Sequence, residues 1–255
     1  MKLEKIISWL DRTLKVADFD DVSNNGLQVD RFVASTQTLK HSSTQTISTV
    51  AFAVDASVRA VEAAAKAGAQ LLVVHHGISW GGGIRRLTGG VGSVVRAALR
   101  HNLAIAAYHL PLDAHPVLGN NAQLAKLLGL RKVKPAFSYH GNVIGLVGEL
   151  SRRQSTAIGG RRYEFGPGRV GVCSGGAGEF AEEAKRLGCD LYLTGEASWG
   201  DVIAAENCGM RMVCAGHYET EVFGVRALSQ AMKKALKTKT VDLTEATGEC
   251  GITKI

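Results

Sequence analysis

One pattern constrains this sequence more than any other: an apolar run, a helical stretch closed by glycine and a second apolar run, occurring twice. Thr49–Val54 reads as a strand, Ser57–Ala67 as an alanine-rich helix stopped by Gly68, and Leu71–Val74 as a buried strand ending at His75-His76. Arg169–Ser174, Glu179–Leu187, Gly188 and Asp190–Thr194 repeat that order. Short apolar runs flanking a helix define βαβ units with parallel strands. Shifting the chain by 120 residues lays the two stretches on each other without a gap, with Val50 on Val170, Glu62 on Glu182, Gly68 on Gly188 and Leu71 on Leu191. At the next strands, Leu103–Tyr108 and Met210–Ala215, a shift of 108 places His109 on His217 and Asp113 on Glu221. Both halves therefore carry His-x-x-x-carboxylate after the corresponding strand, as HLPLD and HYETE. Identical element order, more than the sparse identity, argues for a duplicated α/β half-domain.

The remaining sequence arranges itself around these units. Leu3, Ile6, Ile7, Leu10 and Leu14 fall at helical spacing, and this amphipathic pattern with its charged residues is not a signal-peptide core. A loop at 20–26 and Ser/Thr-rich polar sequence from Ala34 to Ser48 precede the first strong strand. The glycine-rich segment 81–90 leads into a helix at Ser93–Arg100, and further helices are expected at Asp201–Asn207 and Glu221–Leu236, with a short strand at Thr240–Leu243. The expected division is a first α/β half at 1–130, a connector at 131–168 with small strands at Tyr139–Leu150 and Arg161–Phe165, and a second half at 169–255, intertwined as one unit.

With 45% apolar and 21% charged residues in 255, the composition excludes a disordered or collagenous chain, and no run approaches the ~18 apolar residues of a membrane span. Thirty basic against 23 acidic residues give a net charge of +7, which favours anionic partners. The basic residues are dispersed, apart from Arg152-Arg153, Arg161-Arg162 and Lys233, Lys234, Lys237 and Lys239, the last four read as a solvated helix face. Cys173, Cys189, Cys208, Cys214 and Cys250 form no CxxC pair, so neither a zinc ribbon nor a disulfide framework is indicated, and a reduced, cytoplasmic setting is expected.

Chemistry concentrates where the strands end. In open α/β sheets ligands bind at the carboxyl edges of strands, and His75, His76, His109 and His217 all follow apolar strand runs. With His115, five of the eight histidines lie in such turns. Imidazole nitrogen with carboxylate oxygen suits zinc, iron, manganese, nickel or cobalt, whereas calcium and magnesium prefer oxygen alone. Neighbours such as His75-His76 point apart, which suits two ions better than one. A competing motif is Gly176-Ala-Gly178-Glu-Phe-Ala181, a GxGxxA pattern with Glu196 in the place of a ribose-binding acid. The corresponding turn of the first half reads Asp55-Ala-Ser-Val, so Gly175–Gly178 is read as a tight turn whose amides hold an anion, and no NAD is expected. Neither GxSxG nor a P-loop occurs.

The runs SNNGLQV (23–29), VVHHGISW (73–80), YHLPLDAHPVLGNNAQLAKLLGL (108–130), LTGE (193–196) and AGHYETE (215–221) resemble the dinuclear metal-centre proteins called GTP cyclohydrolase 1 type 2 homologues, the Nif-three-like family, in its short form. The resemblance spans nearly the whole chain and implies a Nif-three-like fold with two halves facing a shared dinuclear cleft. It also implies that His75, His76, Asp113, His217 and Glu221 are metal ligands, Glu221 bridging two divalent ions, with His75 and Asp113 on one and His76 and His217 on the other. His109 and Glu196 are then orienters or proton carriers beside the ions, and Asn25 lines the pocket. Trp199 departs from the polar or histidine residue that many relatives place after this TGE. Two ions roughly 3.5–4 Å apart lower the pKa of a shared water from 15.7 toward ~7 and clamp a phosphate. The expected function is metal-dependent hydrolysis of a nucleotide-like or phosphorylated small molecule by a homohexameric ring. A cyclohydrolase also needs a residue that positions a purine, and the sequence offers candidates for the proton shuttle alone. The alternative is a non-enzymatic, metal-binding ring assembly that is regulatory or binds nucleic acid through its basic surface. Nucleic-acid binding is expected to be weak and sequence-independent, because no reading module is present.

Overall fold

The computed structural model describes residues 1–35, 38–41 and 46–248. In chain order the elements are α1 (Leu3–Leu14), β1 (Gly26–Val29), β2 (Phe32–Ser35), β3 (Thr38–His41), β4 (Thr49–Asp55), α2 (Val58–Lys66), β5 (Leu71–His76), α3 (Gly89–Arg100), β6 (Ala104–Ala107), α4 (Leu110–Asp113) and α5 (Asn120–Leu127). There follow β7 (Arg131–Tyr139), β8 (Asn142–Leu150), β9 (Gln154–Ile158), β10 (Arg161–Phe165), β11 (Gly168–Gly176), α6 (Ala181–Arg186), β12 (Leu191–Glu196), α7 (Trp199–Asn207), β13 (Met212–Cys214), α8 (His217–Leu236), β14 (Lys239–Asp242) and α9 (Thr244–Gly248). They fall into two compact units, one comprising Met1–Leu112 with the chain from Val225 onward, the other Asp113–Gly224. No helix of the described residues is long and apolar enough to cross a membrane.

The first unit holds a sheet of order β1-β6-β5-β4-β14. Its four inner and C-terminal strands run parallel, and β1 joins β6 antiparallel at the edge. Strands covered on both faces must be apolar throughout, and Val50 to Val54 and Leu71 to Val74 are all buried. Ser57 caps α2 by accepting from the Ala60 amide at 3.1 Å, and Gly68 ends it in the left-handed region at φ +72°. Ala60, Val61 and Ala64 of α2 and Val94, Ala97 and Ala98 of α3 pack on the sheet strands in one cluster. Leu3, Ile6, Leu10 and Leu14 form the buried stripe of α1.

In the second unit the sheet order is β13-β12-β11-β8-β7. β11, β12 and β13 are parallel, and β8 and β7 extend them antiparallel. Residues 131–168 thus fold as two hairpins, the first of which adds two strands to this sheet, and β9 and β10 pair with each other. Leu124 and Leu128 pack against Val170, Val172, Leu191 and Leu193.

The duplication extends to strand register. Val50, Ala51, Phe52 and Ala53 face Leu71, Leu72, Val73 and Val74, and Val170, Gly171, Val172 and Cys173 face Leu191, Tyr192, Leu193 and Thr194, each pair displaced by the same 120 residues. Two of the departures from the expectation have a local cause. Residues 26–41 supply β1 and the antiparallel hairpin β2–β3, because a four-residue edge strand is too short to show period. And α8 begins at His217, four residues earlier than its apolar pattern, because its first turn reads His-Tyr-Glu-Thr.

Candidate metal centre

Three imidazoles gather in the first unit. β5 ends in His75 and His76, and His109 follows β6; their ring centroids lie 4.5 Å apart for 75–76, 5.1 Å for 75–109 and 5.7 Å for 76–109. One ring nitrogen from each lies within 4.8 Å of the others, a group able to hold a metal ion. All three rings are anchored through the same atom. Nδ1 of His75 lies 2.9 Å from the Tyr108 carbonyl, that of His76 lies 2.8 Å from Asp55 Oδ1, and that of His109 lies 2.9 Å from Asp21 Oδ1. An acceptor at Nδ1 keeps the proton of the neutral ring there and leaves the Nε2 lone pair for a ligand role, the arrangement by which proteins orient metal-binding histidines.

Asp21 is the most elaborate of these anchors. Its carboxylate accepts from the Ser23 and Leu110 amides, from Asn25 Nδ2 and from His109 Nδ1, all at 2.8–3.0 Å. Burial alone would raise its pKa, but the hydrogen bond and charge of His109, with the hydrogen bonds from the Ser23 amide and the Asn25 side chain, outweigh it and hold the carboxyl below the usual range. Asn25, expected to line the pocket, spends its amide on bracing: Nδ2 donates to Asp21 at 2.8 Å and Oδ1 accepts from the His109 amide at 2.7 Å. His115 accepts from the Val117 and Leu118 amides through Nδ1 and so braces its own turn.

The second unit carries buried carboxylates of its own. Asp113, 7% exposed, accepts on Oδ1 from Asn120 Nδ2 at 2.8 Å and from Ser174 Oγ at 3.1 Å. Asn120 is itself fixed by the Gly224 amide at 2.7 Å, and Asn121 by the Ser174 amide at 2.7 Å. The early start of α8 puts His217 and Glu221 one turn apart, with Nε2 3.2 Å from Oε1, while Glu196 Oε1 lies 2.9 Å from His217 Nδ1. Glu221 above all, with Glu196, raises the His217 pKa to about 9 against the opposing effect of burial. His217 thus follows the same pattern, with Nδ1 against an acceptor, and its Nε2 proton sits where a cation between imidazole and carboxylate would sit. Burial, with the charges of Asp113 and, more weakly, Glu221, pushes the Cys173 thiol well up, so it stays a neutral thiol and not a thiolate ligand.

Two glycines of the Gly175–Gly178 turn have geometric reasons of their own. Gly175 adopts φ +69° and a Cβ there would overlap Glu221 Oε1; its amide donates to Thr220 Oγ1 at 3.1 Å. A Cβ on Gly178 would lie 2.6 Å from that of Ala197. The turn is tight because α8 and the β12–α7 junction approach it, and Glu196 is engaged with His217. Within the first unit the three imidazole nitrogens are donors of the kind that divalent transition-series ions favour, and within the second so are the imidazole of His217 and the buried carboxylates of Asp113 and Glu221. The bracing groups Asp21, Asp55, Asn120 and Ser174 were not singled out by sequence; only Asp55, paired in register with His76 at the strand ends, leaves a local signal.

Comparison with known proteins gives consistent results. A family model described as Duf34/NIF3 (NGG1p interacting factor 3) matches residues 1–159 and 167–248. A Pyrococcus horikoshii protein called GTP cyclohydrolase 1 type 2 homolog is 38% identical over 263 residues, covering 97% of this chain and 100% of its own. One of the same name from Deinococcus radiodurans is 38% identical over 241 residues, covering 89% and 86%. Among solved structures, the protein ybgI, titled as of unknown function, superposes with a TM-score of 0.79 at 29% identity, covering 96% of this chain and 98% of its own. A Thermus thermophilus protein gives 0.73 at 28%, covering 97% and 100%.

Proposed function

The chain belongs to the Duf34/NIF3 family and has its Nif-three-like α/β fold, and on that footing we propose that it is a metal-dependent hydrolase of a nucleotide-like or phosphorylated small molecule. In this reading His75, His76, Asp113, His217 and Glu221 ligate two divalent ions, Glu221 bridging them, His75 and Asp113 completing one site and His76 and His217 the other. The observation that carries it is the common orientation of the imidazoles, each with Nδ1 against a carbonyl or carboxylate and Nε2 left as the ligand atom. Bound ions of this kind supply Lewis acidity, and a water activated near neutral pH.

The chain's own residues do the rest. Asp55 and Glu196 hold the rings of His76 and His217 in register. His109, fixed by Asp21 at Nδ1 and by Asn25 at its backbone, takes up and returns a proton at Nε2, and the buried carboxylate steadies the imidazolium when it forms. The dispersed positive charge favours an anionic substrate.

The test is a panel of nucleotides and phosphoesters incubated with protein reconstituted with zinc, manganese or iron, beside its His76→Ala variant. Metal-dependent turnover of at least one phosphorylated compound, lost in His76→Ala, is expected. Full metal loading without turnover across the panel would leave the non-enzymatic ring as the better reading.

A further inference from the structure

The sequence offers no residue to position a flat ring, but the structure does. Trp80 follows the histidine pair by four residues, and its backbone is tied on both sides: it forms an antiparallel bridge with Ser23, its carbonyl accepts from the Gly83 amide at 3.0 Å, and the next amide, of Gly81, donates to the Val22 carbonyl at 2.6 Å. Gln28 fixes the turn between His76 and Trp80, its Oε1 accepting from the Ile78 and Ser79 amides at 2.7 and 3.2 Å. The indole is fixed as well. Its Nε1–H donates to the Gly77 carbonyl at 3.0 Å, which uses its one polar group. The ring meets His109 edge-on at 5.1 Å between centroids and lies tilted against His76 at 6.1 Å.

A tryptophan that only filled space would be closed off, as Tyr108 and Tyr192 are at 0% exposure; Trp80 keeps 37% of its surface open. Beside it the chain runs through Gly81, Gly82 and Gly83, where an added Cβ would meet nothing within 4 Å, and then to Ile84 and Leu87, themselves 38% and 57% exposed. A rigid aromatic ring with no polar atom to offer, open room alongside it and imidazoles beside it is suited to stacking. From this arrangement we infer that Trp80 seats the substrate by stacking on a planar heteroaromatic ring, so that the ligand class is nucleotide-like and not sugar phosphate or aliphatic phosphoester. This deepens the proposed function and rests on it for the ions that engage the ligand's polar end. Because the indole is already immobilised, stacking costs it little further freedom.

Stacking of a base on an aromatic side chain is tolerant of base identity, and its loss weakens binding by roughly 5- to 150-fold. Calorimetric titration of the metal-reconstituted protein with GMP, UMP and ribose 5-phosphate reads it directly, in wild type, Trp80→Leu and Trp80→Phe, with metal content and melting temperature recorded on the same preparations. The expected result is an affinity order of GMP, then UMP, then ribose 5-phosphate. Trp80→Leu then loses about tenfold or more for GMP with ribose 5-phosphate unchanged, and Trp80→Phe recovers most of the loss, since it keeps a flat ring. No GMP binding by wild type, equal binding of GMP and ribose 5-phosphate, or equal losses for both ligands in both variants would overturn the inference. Wild-type protein that takes up no metal would instead sink the proposed function, and its GMP-to-ribose-phosphate preference would still decide the role of Trp80.

Discussion

The two repeats share backbone geometry and differ in what they attach to it. Four consecutive residue pairs between neighbouring strands keep the same register at a shift of 120 residues, yet the first repeat ends in histidines braced by aspartates, and the second in a glycine turn beside glutamates. The equivalent positions are instructive. Asp55 corresponds to Gly175: the first must have a side chain, to hold His76 at 2.8 Å, and the second must have none, because Glu221 occupies the space. His76 corresponds to Glu196, so the position that presents an imidazole in one unit presents the brace for His217 in the other. A duplicated scaffold fixes where side chains emerge, and substitution at those points then divides nitrogen donors from oxygen donors.

Exchanging residues between the repeats should break this most severely. Gly175→Asp places a β-carbon in the left-handed region, against Glu221 and beside the His217 ring, and is expected to cost about 4 kcal/mol of unfolding free energy from backbone strain and a second buried carboxylate crowding Glu221. The reverse exchange, Asp55→Gly, removes a half-exposed brace and should cost about 1 kcal/mol. Urea denaturation of the two variants measures the asymmetry; similar losses would mean that the repeats are not specialised as described.

The braces differ next in strength. Asp21 is 2% exposed at its side chain and accepts four hydrogen bonds, whereas the Glu196 side chain is 62% exposed. Asp21→Ala leaves several partly buried donors without acceptors and is expected to lose about 3 kcal/mol, against roughly 0.5 kcal/mol for Glu196→Ala. Equal losses in thermal or urea unfolding would contradict the contrast between a rigid first repeat and a solvent-screened second one.

A smaller effect distinguishes the second unit by pH. His217 in the metal-free protein has its pKa raised from 6.5 to about 9, chiefly by Glu221. A raised pKa stabilises the fold fully below the unfolded value and loses that contribution as pH rises through the folded one, so the window runs from about 6.5 to 9. After allowance for the partial exposure of His217, the change is about 1 kcal/mol. The melting temperature of metal-free protein should fall across that window, and Glu221→Gln should flatten the fall. An unchanged slope in Glu221→Gln would mean that the carboxylate does not hold the proton.

How much of this was legible depended on distance along the chain. The βαβ units were, because apolar runs and the stopping glycines at 68 and 188 are local signals that tertiary structure reinforced. The first turn of α8 was not, since His217–Thr220 has no apolar periodicity; it is held by the Thr220 hydroxyl bonding to Gly216 and accepting from Gly175. β1 hid in the four residues Gly26–Val29. Asp21 was unreadable because its partner His109 lies 88 residues away and an aspartate in a polar loop announces nothing. Trp80 read as the end of a motif, and only its packing on His76 and His109 gave it a role. Of the cysteines, Cys173, Cys189, Cys208 and Cys214 are unbridged, and Cys250 lies outside the described residues.

Counting ions tests the central claim most directly. Elemental analysis of protein reconstituted with zinc or manganese and freed of excess metal should give two ions per chain. Asp113→Asn at the same protein concentration should mainly empty one site, and Glu221→Gln should weaken both, because adjacent cations repel without a shared anion between them. A wild-type stoichiometry of one or none, or a Glu221→Gln protein that keeps both ions, would contradict the account.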